Sequence, residues 1–135
     1  MKETIIYSTI TGHSKRIALK IKEALNIEIF NIKENPNLSN IETLYIISGI
    51  YGGKSSEELV KYVQDFKNKQ FKKVVLITTA CGKNEKQKEI RKILEEKEIF
   101  VSSDEYTCPG SFLIFGCHPN KKDINKLIEY LKEKK

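Results

Sequence analysis

Three hydroxyl side chains, Thr9, Thr11 and Ser14, cluster around Gly12 in the segment Ser8-Thr9-Ile10-Thr11-Gly12-His13-Ser14. Hydroxyls donate and accept hydrogen bonds, and glycine allows a backbone to come close to a bound group. The segment runs into a helical pattern, with Ile17, Ile21 and Leu25 on one stripe and Ala18 and Ala24 beside it. A helix N-terminus offers unpaired N–H groups and a positive partial charge, which suits a phosphate. Thr9, Ile10, Thr11, Gly12, His13 and Ser14 are therefore candidate phosphate-binding residues, His13 through its backbone N–H. The same residues also fit a helix that is simply well capped by a hydroxyl. Neither GxxxxGK[ST] nor GxGxxG occurs, so this is not a Walker A loop or a dinucleotide fingerprint.

Two further segments could contact the same ligand. Ser48-Gly49-Ile50-Tyr51-Gly52-Gly53 is glycine-rich, and Tyr51 has a π-face on which a planar ring could stack. A surface turn carrying an exposed tyrosine would look the same. Thr79-Ala80-Cys81-Gly82 is built of small residues and ends at Lys83. Cys81 could be a redox thiol, but loop thiols without a partner are usually inert. The cysteines are Cys81, Cys108 and Cys117, an odd count without a CxxC, and the histidines are only His13 and His118. This pattern argues against a disulfide scaffold, a zinc site or a histidine general base.

The elements that would position these segments alternate along the chain. Thr4 to Ser8 reads as a buried strand, Ile27 to Ile32 as a half-exposed edge strand, and Asn35-Pro36-Asn37 as a turn. Leu44 to Ser48 and Val74 to Thr78 are apolar on both faces, as expected of strands covered on both sides. A fifth strand starts at Ile99 to Val101 and continues irregularly toward Tyr106. Helices fall between them, marked by Leu59, Tyr62, Val63 and Phe66, then by Ile90, Ile93 and Leu94. The last helix follows Asn120 as N-cap, with Asp123 in its first turn and Ile124, Leu127, Ile128 and Leu131 as its stripe. This alternation predicts an α/β fold, a doubly wound three-layer sandwich around one parallel sheet. Such sheets bind ligands beyond the carboxyl ends of their strands. The three segments follow strands one, three and four, so they converge there.

The 135 residues suit one domain spanning the whole chain, and a charged fraction of 31% is ordinary for a soluble globular protein. No stretch is apolar enough for a membrane helix and none has the form of a signal peptide, so a cytoplasmic protein is expected. The net charge of +6 raises the question of nucleic acid. The basic residues are almost all lysines interleaved with glutamates, as in Glu85 to Glu98, and Arg16 and Arg91 are the only arginines. That pattern describes solvated helix surface, not a phosphate-tracking stripe.

The run Ile5-Ile6-Tyr7-Ser8-Thr9-Ile10-Thr11-Gly12-His13-Ser14-Lys15-Arg16-Ile17-Ala18 resembles the flavodoxin N-terminal signature, with Ser14 where threonine is usual. Cys108-Pro109-Gly110-Ser111-Phe112 and His118-Pro119-Asn120-Lys121-Lys122-Asp123 also resemble segments of small flavodoxin-family proteins. The resemblance implies a five-stranded parallel sheet of order 2-1-3-4-5 and a noncovalently held FMN. Residues Thr9 to Ser14 would take the phosphate. Ser48, Gly49, Ile50, Tyr51 and Gly52, with Thr79, Ala80, Cys81 and Gly82, would border the ring. The third loop lacks the aromatic that often covers the second face of the flavin in this family.

The implied function is electron transfer as a monomeric carrier. A second class is a small FMN-dependent oxidoreductase that takes hydride from NAD(P)H. A third is a flavin-free binding module on the same fold. Direct NAD(P)H oxidation would favour the second, and a preparation that stays colourless with added FMN would favour the third. Flavodoxins are typically acidic, whereas this chain places Lys54 and Lys83 in the ring loops and Lys15 and Arg16 beside the phosphate loop. Positive charge there stabilises the reduced anion and suits redox partners with acidic docking surfaces.

Overall fold

In the computed structural model the described residues are 3–8, 13–49, 56–67, 70–80, 87–103, 105–109 and 121–133. The elements are β1 (Glu3–Ser8), α1 (His13–Leu25), β2 (Glu28–Asn31), a 3-10 turn (Ile32–Glu34), β3 (Ile41–Gly49), α2 (Glu57–Gln64), β4 (Phe71–Ala80), α3 (Lys88–Glu96), β5 (Tyr106–Pro109) and α4 (Lys121–Glu133). The strands form one parallel sheet of order β2-β1-β3-β4-β5. Sheet order and strand number agree with the expected doubly wound sandwich.

The period of two in β1, β3 and β4 sorts their side chains into two cores. Ile6, Leu44, Ile46, Val74 and Leu76 face Leu59 and Val63 of α2 and Ile90 and Leu94 of α3. Ile5, Tyr7, Tyr45, Ile47, Val75 and Ile77 face Ile17 and Ile21 of α1 and Leu127 and Leu131 of α4. Residues at both faces of these central strands must be apolar, which explains their continuous apolar runs. Truncating one fully buried member such as Ile46 or Leu76 to alanine costs about 2–5 kcal/mol.

One pair of polar side chains links β3 to the amino end of β1. The Tyr45 hydroxyl donates to Glu3 Oε2 at 2.7 Å. Burial first, then that hydrogen bond and the carboxylate's charge, push the phenol above its ordinary range. The short β2 ends where Asn31 and Glu34 form a capping box around the 3-10 turn.

The fifth strand departs from expectation. Val101 makes a single bridge to Val74, and the strand proper runs from Tyr106 to Pro109 beside Ile77 to Ala80. Ile99, expected to open this strand, instead closes α3. Its N–H bonds Leu94 O at 3.0 Å, and Glu98 N–H bonds Glu95 O at 3.0 Å. This is a Schellman cap, with Glu98 at the left-handed position (φ 61°) and Ile99 packed in the same core as Leu94. Between the two strand pieces, Arg91 Nη2 donates to Ser102 O at 2.8 Å and lies 3.8 Å from Glu105 Oε2. An arginine on α3 thus fastens the break in the strand.

Candidate functional site

The order β2-β1-β3 means that the chain leaves β1 in one direction and β3 in the other. The helix that follows β1 packs on one face, and the helix that follows β3 packs on the opposite face. The carboxyl ends of β1 and β3 are therefore a topological switch point, the place at which open α/β sheets as a class bind their ligands. Register confirms their alignment: Ser8 pairs with Ser48, Ser48 with Thr78, and Thr78 with Thr107. Ser8, Ser48, Thr78 and Thr107 thus form one row across four adjacent strands, at or near the carboxyl ends of β1, β3 and β4.

Helix α1 begins at His13, after the segment that leaves β1, and has no acidic residue in its first turn. Helix α2 carries Glu57 and Glu58 there, and α3 carries Glu89. Carboxylates in a first turn offset the positive end of the helix, so the dipole of α1, unlike those of α2 and α3, is left for an external anion. No group of His, Cys, Asp or Glu among the described residues is arranged to hold a metal ion.

Of the residues singled out from sequence, His13 and Ser14 open α1, and Ser48 and Gly49 end β3. Thr79 and Ala80, expected in a loop, are the final residues of β4 and pair with Cys108 and Pro109. Gly49 likewise belongs to the strand, paired with Thr79. Both strands extend farther because parallel pairing continues through their polar ends. Thr9, Ile10, Thr11, Gly12, Ile50, Tyr51, Gly52, Cys81 and Gly82 lie outside the described residues.

Beneath this rim lies a buried polar layer on the α2 and α3 side. Ser8, Ser48 and Thr78 have the same parity as Ile6, Ile46 and Leu76, and so project onto that face. The Ser8 and Ser56 hydroxyls share a hydrogen bond at 3.0 Å. Ser56 is also the N-cap of α2, accepting from Leu59 N–H at 3.3 Å. The Ser48 hydroxyl donates to Gly49 O at 3.2 Å. Gln87, fully buried at the start of α3, donates from Nε2 to Ile77 O at 2.8 Å and to Ile46 O at 3.4 Å. Two buried atoms here, Thr78 Oγ1 and Gln87 Oε1, have no hydrogen-bond partner among the described residues. Leaving such a group unpaired costs on the order of 1–3 kcal/mol.

Sequence reasoning singled out neither Ser56 nor Gln87. Ser56 had a signal, a serine directly before Glu57-Glu58 and a helical stripe. Gln87 had none, since a glutamine in a lysine- and glutamate-rich stretch reads as surface.

A family model described as a flavodoxin domain matches residues 4–103. The chain belongs to the flavodoxin family. Solved structures agree on the fold. Oxidised flavodoxin 1 from Bacillus cereus superposes with a TM-score of 0.70 at 14% identity, covering 98% of this chain and 96% of that one. Flavodoxin 2 from the same organism gives 0.69 at 15% identity with 100% of both chains covered. A flavodoxin from the domain Archaea gives 0.66 at 17% identity, with 96% and 92% covered. No curated protein sequence matches the chain.

Proposed function

We propose that this protein binds FMN at the carboxyl rim of β1, β3 and β4 and serves as an electron carrier. The observation that carries the reading is the switch point between β1 and β3. It aligns the end of the hydroxyl-rich segment, at the acid-free start of α1, with the ends of the two strands that lead to the other candidate loops. The residues fit the group. Thr9, Thr11 and Ser14 would donate to the phosphate with the backbone N–H groups of Ile10, Gly12 and His13. Ser48, Gly49, Ile50, Tyr51 and Gly52 on one side, and Thr79, Ala80, Cys81 and Gly82 on the other, would border the ring.

When bound, FMN supplies reversible electron transfer, and the protein tunes it. The chain's own task is to hold the phosphate, orient the ring and limit water around it. Lys54 and Lys83 would add positive charge at the ring end and favour the reduced anion. The surface charge of +6 would draw partners with acidic docking surfaces.

The test is an absorbance spectrum of the purified protein with and without added FMN, followed by titration of the apoprotein. Bound flavin with submicromolar affinity is expected. In a Thr11→Asp, Ser14→Asp double variant, two carboxylates would face the phosphate, and affinity should fall by about a hundredfold or more. A protein that takes up no FMN would overturn the reading. Equal FMN affinity in the double variant would overturn the phosphate assignment.

A further inference from the structure

The chain beside β4 is longer than the stretch of strand it accompanies. Val101 bridges Val74 and Tyr106 pairs with Ile77, so residues 102–105 pass only Val75 and Leu76 of β4. The excess is slack between the bridge and β5. The bridge is tied twice, Val74 N–H donating to Phe100 O at 2.9 Å and Ser102 N–H to Val74 O at 2.8 Å. β5 is an outermost strand of four residues and pairs with β4 alone. At its other end, residues 110–120 separate Pro109 from α4. With chain to spare on both sides, β5 can leave β4 without pulling on the bridge or on the cap of α3.

Arg91 reaches across the slack. Its Nη2 donates to Ser102 O at 2.8 Å and lies 3.8 Å from Glu105 Oε2, so one guanidinium holds both ends of the segment. Glu105 depends on that contact. Its side chain is 4% exposed, Arg91 is its cationic partner among the described residues, and its Oε1 has no hydrogen-bond partner among them. A carboxylate so placed is costly to keep from water, and Arg91 supplies the charge that offsets the cost. Departure of β5 would return the carboxylate to solvent. The arginine end of the contact is firm, because Ile90 and Leu94 are fully buried and fix α3 in the core.

We propose that Arg91 is a latch on β5. While it bonds Ser102 and Glu105 the strand stays on β4. When the contact breaks, β5 leaves the sheet as a unit, with β2, β1, β3 and β4 still paired. The device gives the sheet an edge that opens ahead of the rest. It does not depend on the FMN reading.

Native-state hydrogen exchange on the full chain in low concentrations of urea tests the latch. In the wild type, the amides of Tyr106 and Cys108 should be at least about tenfold less protected than those of Ile46 and Ile47 in β3. Their exchange should also be less sensitive to urea, because a local opening exposes little surface. Arg91→Met leaves the Glu105 carboxylate buried without its counter-charge, and protection of β5 should fall about a hundredfold. Adding Glu105→Gln to Arg91→Met should restore about tenfold, because an amide carries no charge to keep from water. That recovery separates a latch from simple packing by the arginine stem, which the second change leaves untouched.

Equal protection and equal urea sensitivity of β3 and β5 in the wild type would mean that β5 leaves only when the whole protein unfolds, and would overturn the proposal. Wild-type protection of β5 in Arg91→Met would overturn it, as would a double variant no better protected than Arg91→Met. If Arg91→Met does not fold, Arg91→Lys carries the mutational test. Lysine keeps a charge near Glu105 but lacks the fork that reaches Ser102 O as well, so a loss of about tenfold is expected. No loss in that variant would likewise overturn the latch.

Discussion

Single side chains in this protein often secure a neighbouring element as well as their own. Tyr62 of α2 sends its hydroxyl to Pro36 O at 2.8 Å and stacks edge-on against Phe66, with ring centroids 5.4 Å apart. Burial raises its phenol from 10.0 to about 12. The folded state therefore prefers the protonated phenol. Its contribution to stability is complete below pH 10.0 and is lost as pH rises through about 12. Urea midpoints should fall across that window, and Tyr62→Phe, which cannot ionise, should show a shallower fall than the wild type. An identical slope in both proteins would exclude the burial of Tyr62 as a cause. Ser56 acts across elements in the same manner, capping α2 while bonding Ser8 at the end of β1.

At the scale of elements, the close of α3 holds a correctable strain. Glu98 occupies the left-handed cap position at φ 61°, where a side chain with a β-carbon is disfavoured and glycine is not. Glu98→Gly should stabilise the protein by roughly 1 kcal/mol, read as a higher melting temperature with unchanged FMN affinity. The same cap explains where the sequence misleads. Ile99, Phe100 and Val101 look like a strand, but Ile99 belongs to the helix cap, and Phe100 is 62% exposed. The strand proper contains Thr107, Cys108 and Pro109, whose composition carries no strand pattern. By contrast, Ile5 and Ile6, Leu44 to Ile47 and Val74 to Ile77 declare their strands, because burial on both faces demands apolar residues throughout. Strand ends at the site were harder to read. Ser48, Gly49, Thr79 and Ala80 are polar or small, which suits a loop equally well until pairing with a neighbour is known. Gln87 was invisible for a related reason: its importance lies in two carbonyls distant along the chain.

For the molecule as a whole, 24 basic side chains against 18 acidic ones leave a net charge of +6. Long-range attraction raises encounter rates with acidic partners and is screened within about 10 Å at 0.1 M salt. Electron transfer to an acidic redox partner should slow on the order of tenfold between low and physiological salt, in stopped-flow measurements. A rate that rises with salt would argue for a basic partner instead. The residues that start the three connections at the rim of the sheet were recognisable in sequence because hydroxyls and glycines after buried strands are informative even before the fold is known.

The two outermost strands, β2 and β5, are four residues each, while β3 and β4 have nine and ten. On the β5 side, the chain touches β4 at Val101 and then leaves it until Tyr106, with Arg91 holding the departure. Among the described residues, an incoming strand from another copy would find short, interrupted runs of backbone groups to pair with at these two edges. The break in β5 is thus a safeguard against sheet-to-sheet self-association.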